Sequence, residues 1–244
     1  MRKAYIGTSG FHYSYWQKVF YPQGMPASSW LSFYAEHFAA TEINNTFYQI
    51  PRPEVIKQWR SQTPATFIFA VKANRQITHT RKLNEAAVPV WKTFTKALTH
   101  FGSQLGPILI QLPPGWGANA DRLDSFLRKA KPPKTSAHAR LVFEFRDPGW
   151  FCDDVYAVLR KHKAGLVFAD MPGATTPRVL TTDIVYFRLH GSKGLYGSKY
   201  TQREIKALAR DITSLRRGHT LYAFFDNDSY GYAPTNAQEL ITQL

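Results

Sequence analysis

The chain has 244 residues, and 31 Lys and Arg against 17 Asp and Glu give it a formal net charge of +14 at pH 7. This length is close to the ~250 residues of one βα barrel, and the sequence contains neither a long Gly-, Ser- or Pro-rich linker nor a run of ~20 apolar residues, so we expect one domain over residues 1–244 and no membrane span. The lone cysteine, Cys152, excludes an internal disulfide, and the N-terminal residues lack the apolar segment of a signal peptide, so we expect a cytoplasmic protein.

Strand-like segments recur along the whole chain. Each is short, rich in β-branched or aromatic residues, and bounded by polar or Gly- and Pro-containing stretches, which is the pattern of buried strands. The predicted strands are residues 4–9, 40–48, 66–74, 106–112, 140–146, 165–170, 184–190 and 221–227.

Helical patterns follow most of these strands. Leu31, Tyr34 and Phe38 fall at helical spacing behind Ser28 and Ser29, which are candidate caps. A similar apolar spacing covers residues 91–101. Capping boxes predict the starts of the last two helices; they pair Thr201 with Glu204 and Thr235 with Gln238.

The regular alternation predicts an α/β fold. Eight βα repeats within this length favour a single TIM-type (βα)8 barrel over an open doubly wound sheet, which the pattern alone leaves as the alternative. Residues 171–183 contain Pro172, Gly173 and Pro177, so we expect the sixth crossover to be irregular, a loop or a single turn instead of a helix.

Polar residues alternate with apolar ones near the ends of the predicted strands. Because helices cover the outside of such a barrel, the polar positions should face its lumen, at the end where the βα loops form active sites. Alternation within strands selects Glu42, Asn44, Glu144, Arg146, Arg188 and His190. Late positions in the other strands are Lys72, Gln111, Asp170, Asp226 and Asn227.

These residue types suit acid–base chemistry on an anion. Glu42 and Glu144 could act as general acid and base and His190 could carry protons. The cationic positions could bind a phosphate or carboxylate; they are Lys72, Arg146 and Arg188. The alternative is a structural network in which the two glutamates neutralise the arginines without any chemistry.

A catalytic metal is not favoured, because histidines do not cluster and no HExxH motif is present. Carboxylates could still hold a divalent cation such as magnesium, and those available are Glu42, Glu144, Asp170 and Asp226. Cofactors therefore stay unknown. The sequence also contains no Walker loop, GxGxxG or GxSxG motif, and nothing supports Cys152 as a nucleophile.

Aromatic residues crowd the same loops, among them Tyr48 after the second strand and Tyr196 after the seventh. Aromatic rings interleaved with cations can stack on sugars or on the bases of single-stranded nucleic acid. The net charge of +14 would also attract polyanions. Nucleic-acid binding with little catalysis is therefore the rival to an anionic small-molecule substrate, and the sequence leaves the oligomeric state open.

A family resemblance is carried by short motifs in a fixed order. They are IGTSGFHYSYW, FYP, TEINNTFYQIP, FAVKANRQITH, LGPILIQLPP, VFEFRDPGW, YFRLHG, AFFDND and APTNA. Together they resemble the YecE-like proteins of domain-of-unknown-function family 72, from about Ile6 to Leu240. The resemblance implies a TIM barrel of undetermined activity in a bacterial or archaeal cytoplasm.

The resemblance also implies a set of recurring polar positions. They correspond here to Glu42, Asn44, Tyr48, Lys72, His79, Gln111, Glu144, Arg146, Arg188, His190 and Asn227. This chain has Asp226-Asn227 where the family's last strand resembles paired asparagines, so no neutral amide role is implied at Asp226. We expect an enzyme with catalytic Glu42, Glu144 and His190; the other positions above, with Tyr196, would bind the substrate.

Overall fold

A computed structural model of the protein describes residues 3–244. The strands are β1 (Ala4–Thr8), β2 (Ala40–Ile43), β3 (Ile68–Lys72), β4 (Leu105–Gln111), β5 (Leu141–Glu144), β6 (Gly165–Met171), β7 (Ala174–Thr175), β8 (Ile184–Leu189) and β9 (Thr220–Phe225). The helices are α1 (Trp30–His37), α2 (Pro53–Ser61), α3 (Ala87–Leu98), α4 (Ala120–Lys129), α5 (Asp153–Lys161), α6 (Gln202–Leu215) and α7 (Tyr232–Ile241).

The strands other than β7 form a parallel barrel. Their hydrogen-bonded order is β1-β9-β8-β6-β5-β4-β3-β2, and β1 meets β2 through a parallel bridge between Ser9 and Glu42. Closure of the sheet confirms the predicted TIM-type (βα)8 architecture and overturns the open-sheet alternative.

The tyrosine Tyr34 of α1 completes the seam between β1 and β2. Its hydroxyl accepts the backbone N–H of Thr8 at 2.8 Å and donates to the carbonyl of Ala40 at 3.1 Å. A side chain thus bridges two strands where their own ladder is incomplete. Gly7 leaves the room for this contact, because a Cβ there would lie 2.7 Å from the Tyr34 hydroxyl and 2.0 Å from the carbonyl oxygen of Ala40.

The sixth crossover lacks a helix, as the Pro and Gly residues predict. Its short strand β7 turns back antiparallel on β6, which the sequence did not predict. Arg178 covers the outer face that a helix would otherwise bury: its guanidinium lies 5.2 Å from the ring of Phe168 and 5.0 Å from that of Phe187. Asp211 of α6 holds Arg178 in place at 2.9 Å.

Several predicted boundaries were wrong. The second strand ends at Ile43, and residues 45–47 form a 3-10 turn. The box at Thr201 and Glu204 caps α6 as predicted. Thr235 lies inside α7, which begins at Tyr232 after Gly231 in the left-handed conformation, so the predicted box there does not form. Ser29 is the cap residue of α1, but its side chain makes no capping bond.

Apolar residues fill the lower part of the barrel lumen. The strands contribute alternate side chains to this inner core, as expected for a barrel. It comprises Tyr5, Ala40, Ile68, Ala70, Leu109, Val142, Val167, Ile184, Tyr186, Tyr222 and Phe224. Of the helices in residues 3–244, none has both the length and the apolar character that a bilayer crossing requires.

Candidate functional site

A layer of polar side chains lies directly above the inner core, at the C-terminal end of the barrel. Two residues on from the last core position of each strand, or four on β1, the chain again points inward, and this second layer is polar on almost every strand. Its members are Ser9, Glu42, Lys72, Gln111, Glu144, Arg188 and Asp226, with the small Ala169 on β6. The predicted lumenal positions therefore meet at one end of the barrel, which we call the mouth.

Arg188 lies at the centre of this layer and is only 1% exposed. Its guanidinium donates to Glu42 Oε1 at 2.7 Å and to Glu144 Oε2 at 2.7 Å. The third carboxylate, Asp226, lies 3.1 Å from Arg188 Nη2. We refer to these four residues as the Arg188 cluster.

Both carboxylate oxygens of Glu42 are already occupied by hydrogen bonds. Besides Arg188, it accepts a hydrogen bond from the hydroxyl of Tyr186 at 2.6 Å and another from Ser9. The side chain is fully buried. Its geometry is that of a carboxylate that fixes Arg188 in position, the structural alternative left open by the sequence.

Glu144 is held ionised. Burial alone would raise the pKa of its carboxyl, but the guanidiniums of Arg188 and Arg146 keep that pKa well below the usual range. Arg146 contacts the second carboxylate oxygen through Nε. A carboxyl in this state cannot deliver a proton near neutral pH, although it can orient both arginines.

His190, two residues after Arg188 in the chain, forms a pair with Asp226 of the layer. His190 Nδ1 lies 2.9 Å from Asp226 Oδ2, within ion-pair distance. The other ring nitrogen, Nε2, lies 3.3 Å from Arg146 Nη2. Burial would raise the pKa of Asp226, but Arg188 and His190 lower it. Asp226 keeps 17% of its side chain exposed, so it can reach a ligand in the mouth.

Lys72 differs from the other charges of this layer. Within residues 3–244 no hydrogen bond or ion pair reaches its Nζ, which lies 4.6 Å from the ring centroid of Phe47. Burial and the nearby charge of Arg188 lower the pKa of Lys72 to about 8, although Glu144 and Glu42 partly offset this. The ammonium therefore faces the mouth without a counter-charge in contact.

His79 lies on the same side of the mouth. Its ring packs edge-on against Phe47 at 4.9 Å, and its Nδ1 is 2.8 Å from the hydroxyl of Thr78. Burial lowers the pKa of His79, and the charges of Lys72, Arg75 and Arg146 lower it further. His79 is therefore neutral near pH 7, and we call Lys72 and Arg146, which lie beside it, the mouth cations.

The remaining predicted positions are not all brought together. Gln111 lies in the polar layer, while Tyr48 and Tyr196 lie on the surrounding loops and are 73% and 39% exposed. Tyr196 has a left-handed backbone (φ 61°), and its ring lies 5.5 Å from that of His190. Asn44 donates to Ser9 Oγ at 2.7 Å.

Asn227 and Asp170 point away from the mouth, because each follows an inward-facing residue by one position. Asn227 donates to Asn236 of α7 and to the carbonyl of Ser198, both at 2.9 Å. Asp170 hydrogen-bonds with Tyr200 on the outer side of the sheet. Selecting residues only because they lie late in a strand thus included two that point outward. The alternation of inward and outward positions along each strand would have separated these two residues from the rest.

Sequence reasoning missed Ser9, Tyr186 and an anchor at Asp228. Ser9 and Tyr186 occupy inward-facing positions, as the predicted lumenal residues do, so the alternation along their strands could have identified them. Asp228 accepts hydrogen bonds from Tyr15 at 2.5 Å and from Trp16 Nε1 at 2.6 Å, and its burial raises the pKa of the carboxyl to about 6. No local spacing signals contacts between residues so distant in the chain.

The carboxylates considered as ligands for a divalent cation belong to the Arg188 cluster, apart from Asp170. The oxygens of Glu42, Glu144 and Asp226 converge on the Arg188 guanidinium, and Asp170 lies elsewhere. Among the residues that the structure describes, no group of three His, Cys, Asp or Glu side chains is arranged to hold a metal ion.

Comparisons with known proteins agree with the motif resemblance. A family model described as "Protein of unknown function DUF72" matches residues 5–244. The UPF0759 protein YunF of Bacillus subtilis is 26% identical over 98% of this chain and 94% of its own length. The UPF0759 protein YecE of Escherichia coli K12 is 34% identical over 34% of this chain and 30% of its own length.

Solved structures show the same architecture. A DUF72 family protein from Thermotoga maritima superposes with a TM-score of 0.84 at 28% identity, over 99% of this chain and 98% of that one. A DUF72 family protein from Enterococcus faecalis gives a TM-score of 0.82 at 18% identity, over 99% of this chain and 95% of that one, which supports the fold alone.

Proposed function

The chain belongs to the DUF72 family of proteins of unknown function, and we propose that its barrel mouth binds a small phosphorylated or otherwise anionic substrate and carries out acid–base chemistry on it. The observation that carries this proposal is Lys72, whose ammonium faces the mouth without a hydrogen bond or ion pair in residues 3–244. A half-buried charge without a partner is costly in a folded protein, and such a charge is retained most readily where a ligand neutralises it.

The surrounding groups support an anion at this position. After burial, the positive charges of Lys72, Arg75 and Arg146 lower the pKa of His79, and no carboxylate is among the groups that shift it. An anion with several oxygens would relieve this repulsion, with Arg146 offering a planar donor group and Lys72 a point charge.

Two groups could move protons to or from such a substrate. Lys72, with a pKa of about 8, is poised to exchange a proton near neutral pH. Asp226 is partly exposed and is oriented by His190. In this proposal Glu42 and Glu144 act as positioning residues that hold Arg188 and Arg146, because their oxygens are already engaged.

The test is a calorimetric titration of the protein with inorganic phosphate and with phosphate esters at pH 7, repeated with Lys72→Met. Lys57→Met is the matched control, since it removes an equal charge from an exposed position of α2. We expect Lys72→Met to weaken phosphate binding by about 10-fold or more, as loss of a charge-assisted contact does, and Lys57→Met to leave it unchanged. Equal affinities in the wild type and both variants would remove the mouth as the anion site.

Nucleic-acid binding is the second candidate, and one surface favours it. Exposed cations of α6 and the turn after it line a shallow groove without any carboxylate; they are Lys206, Arg210 and Arg217. Binding there would depend steeply on salt, because released counterions drive it, and it would survive Lys72→Met. Oligonucleotide binding with those two properties, and no binding of phosphate esters, would favour this candidate over the first.

A further inference from the structure

A cavity of about 490 Å³ opens beside the mouth, between the loop after β1, the Asn44–Phe47 turn and helix α2. Its volume is within the range of small-molecule sites, ~300–1,000 Å³. No member of the polar layer lines it; Asn44, which follows β2, does. This cavity is therefore a separate space that shares one wall with the candidate site.

The lining of the cavity is uncharged in a strongly basic protein. None of its lining residues is Lys, Arg, Asp or Glu, although the whole chain has a net charge of +14. Its hydrogen-bonding side chains are instead neutral amides, hydroxyls, an indole and one imidazole; the amides are those of Asn44, Asn45, Gln58 and Gln62. Amide groups both donate and accept, which suits ligands whose edges carry both kinds of group.

Apolar and aromatic side chains provide the rest of the surface. Phe11, Leu31 and Ile43 are buried in the wall of the cavity, and Trp59 is partly exposed there. A site with apolar faces and several convergent neutral polar groups is the usual form of a pocket for a small polar ring.

One amide oxygen at this site lacks a partner. Asn44 Nδ2 donates to Ser9 Oγ, which itself donates to Glu42, so the orientation of the amide is fixed. Within residues 3–244 this buried Oδ1 accepts no hydrogen bond. A buried acceptor without a partner is costly, and a donor supplied by a ligand would satisfy it.

The cavity and the mouth cations lie on either side of one short turn. Asn44 and Asn45 line the cavity, and Phe47, at the end of the same turn, lies under the ammonium of Lys72. At a rise of ~2.0 Å per residue, a 3-10 turn of this length spans only ~6 Å. One small molecule could therefore reach both places.

We infer that this cavity binds an uncharged polar ring, a sugar or a nucleobase, as the neutral part of a phosphorylated substrate whose charge lies among the mouth cations. The inference rests on the proposed function for the position of the charge, but the ring site has its own geometry and can be tested by itself. A sugar and a nucleobase share the required chemistry, which is a compact ring with donors and acceptors around its edge.

The experiment compares affinities by calorimetry at pH 7. The probes are inorganic phosphate, ribose 5-phosphate, glucose 6-phosphate, adenosine monophosphate, and the neutral compounds glucose and adenosine. The variants are Gln58→Leu and Asn44→Ala, with Gln202→Leu as the matched control at an exposed position outside the cavity. Near-ultraviolet circular dichroism verifies that each variant is folded.

We expect at least one phosphate ester to bind about 10-fold or more tightly than inorganic phosphate, and both cavity variants to remove most of this difference while Gln202→Leu retains it. Preference among the esters then identifies the ring as a sugar or a base. The inference is overturned if no ester exceeds inorganic phosphate, or if both cavity variants keep the full difference. Binding of a neutral ring that needs Gln58, without any binding of phosphate, would retain this inference and refute the proposed function.

Discussion

Arg188 is the residue on which the electrostatics of the mouth depend. Three carboxylates are placed around one buried guanidinium, so the charge that they share as a counter-ion is that of Arg188. Replacing one partner of such a network leaves the others charged and uncompensated, which costs far more than the net contribution of the intact network.

We therefore expect Arg188→Met to lower the free energy of unfolding at pH 7 by about 3–5 kcal/mol. The loss should diminish toward pH 5. In the wild type Arg188 lowers the pKa of Glu144 and Asp226, so their contribution is present above the unfolded pKa values and is lost as pH falls. Without the cation, burial raises those pKa values, and protonation then stabilises the variant.

Urea unfolding at pH 7 and pH 5 measures both effects, with the exposed Arg217→Met as the control variant. A loss below about 1 kcal/mol at pH 7, or the same loss at both pH values, would contradict the account of the cluster.

Lys72 should lower the stability of the fold while favouring the binding of an anion, whereas Arg188 stabilises the fold. Its pKa is about 8 in the folded protein, against about 10.4 when unfolded. Between these values the unfolded state holds more protons, so the charged ammonium costs stability below about pH 8, and the cost disappears as pH rises toward 10.4. We expect Lys72→Met to raise the free energy of unfolding at pH 7 by about 1–2 kcal/mol, discounted for partial exposure.

The gain should shrink between pH 8 and pH 10 in urea titrations at those values, while phosphate binding at pH 7 is weakened by about 10-fold or more. A destabilised Lys72→Met protein would instead indicate that the lysine supports the fold, and the argument for a ligand would lose its main support.

At this scale the sequence predicted much of the candidate site. Alternation placed Glu42, Glu144, Arg188 and His190 in the lumen because inward and outward positions of a barrel strand differ so strongly in environment. Alternation could not tell that Arg188 would take up the oxygens of both glutamates, since that depends on the reach of side chains from strands far apart in sequence. The proposed catalytic roles of Glu42, Glu144 and His190 stay predictions.

At the scale of elements, the seam between β1 and β2 depends on a helix. The Tyr34 hydroxyl bonds to Thr8 of one strand and Ala40 of the other, so α1 contributes a polar group to the barrel wall itself. Ser9 and Glu42 lie just beyond this seam and belong to the polar layer.

We expect Tyr34→Phe to lower the free energy of unfolding by about 1–3 kcal/mol, because two buried backbone groups lose their partner. Hydrogen exchange should show the Thr8 amide losing protection ahead of the other strands. The control is Tyr48→Phe, whose hydroxyl is exposed. Unchanged protection at Thr8 in Tyr34→Phe would show that the strands hold the seam without the tyrosine.

Element boundaries were predictable where a local signal decides them. The Thr201–Glu204 box starts α6 because its two hydrogen bonds are made within one turn. The same pattern at Thr235 failed, because Gly231 in a left-handed conformation lets α7 begin earlier. Strand β2 ended at Ile43, ahead of prediction, where the chain turns to place Phe47 below Lys72.

At the scale of the whole molecule, the period of the sequence was enough to predict the barrel, and the family match agrees with it. Charge was less informative. The net charge does not indicate which cations belong to the site. Those cations differ from the others in burial and in lacking partners, and composition contains neither kind of information.

The central claim is that the mouth holds a lysine kept free for an anion, and a nuclear magnetic resonance titration of the nitrogen-15-labelled lysine side chains tests it most directly. Lys72→Met assigns the Lys72 signal. The account predicts that Lys72 titrates at about 8 in the free protein and that inorganic phosphate raises this pKa, because the anion stabilises the ammonium. A Lys72 signal that titrates near 10.4, as in an unfolded chain, and does not respond to phosphate would contradict it.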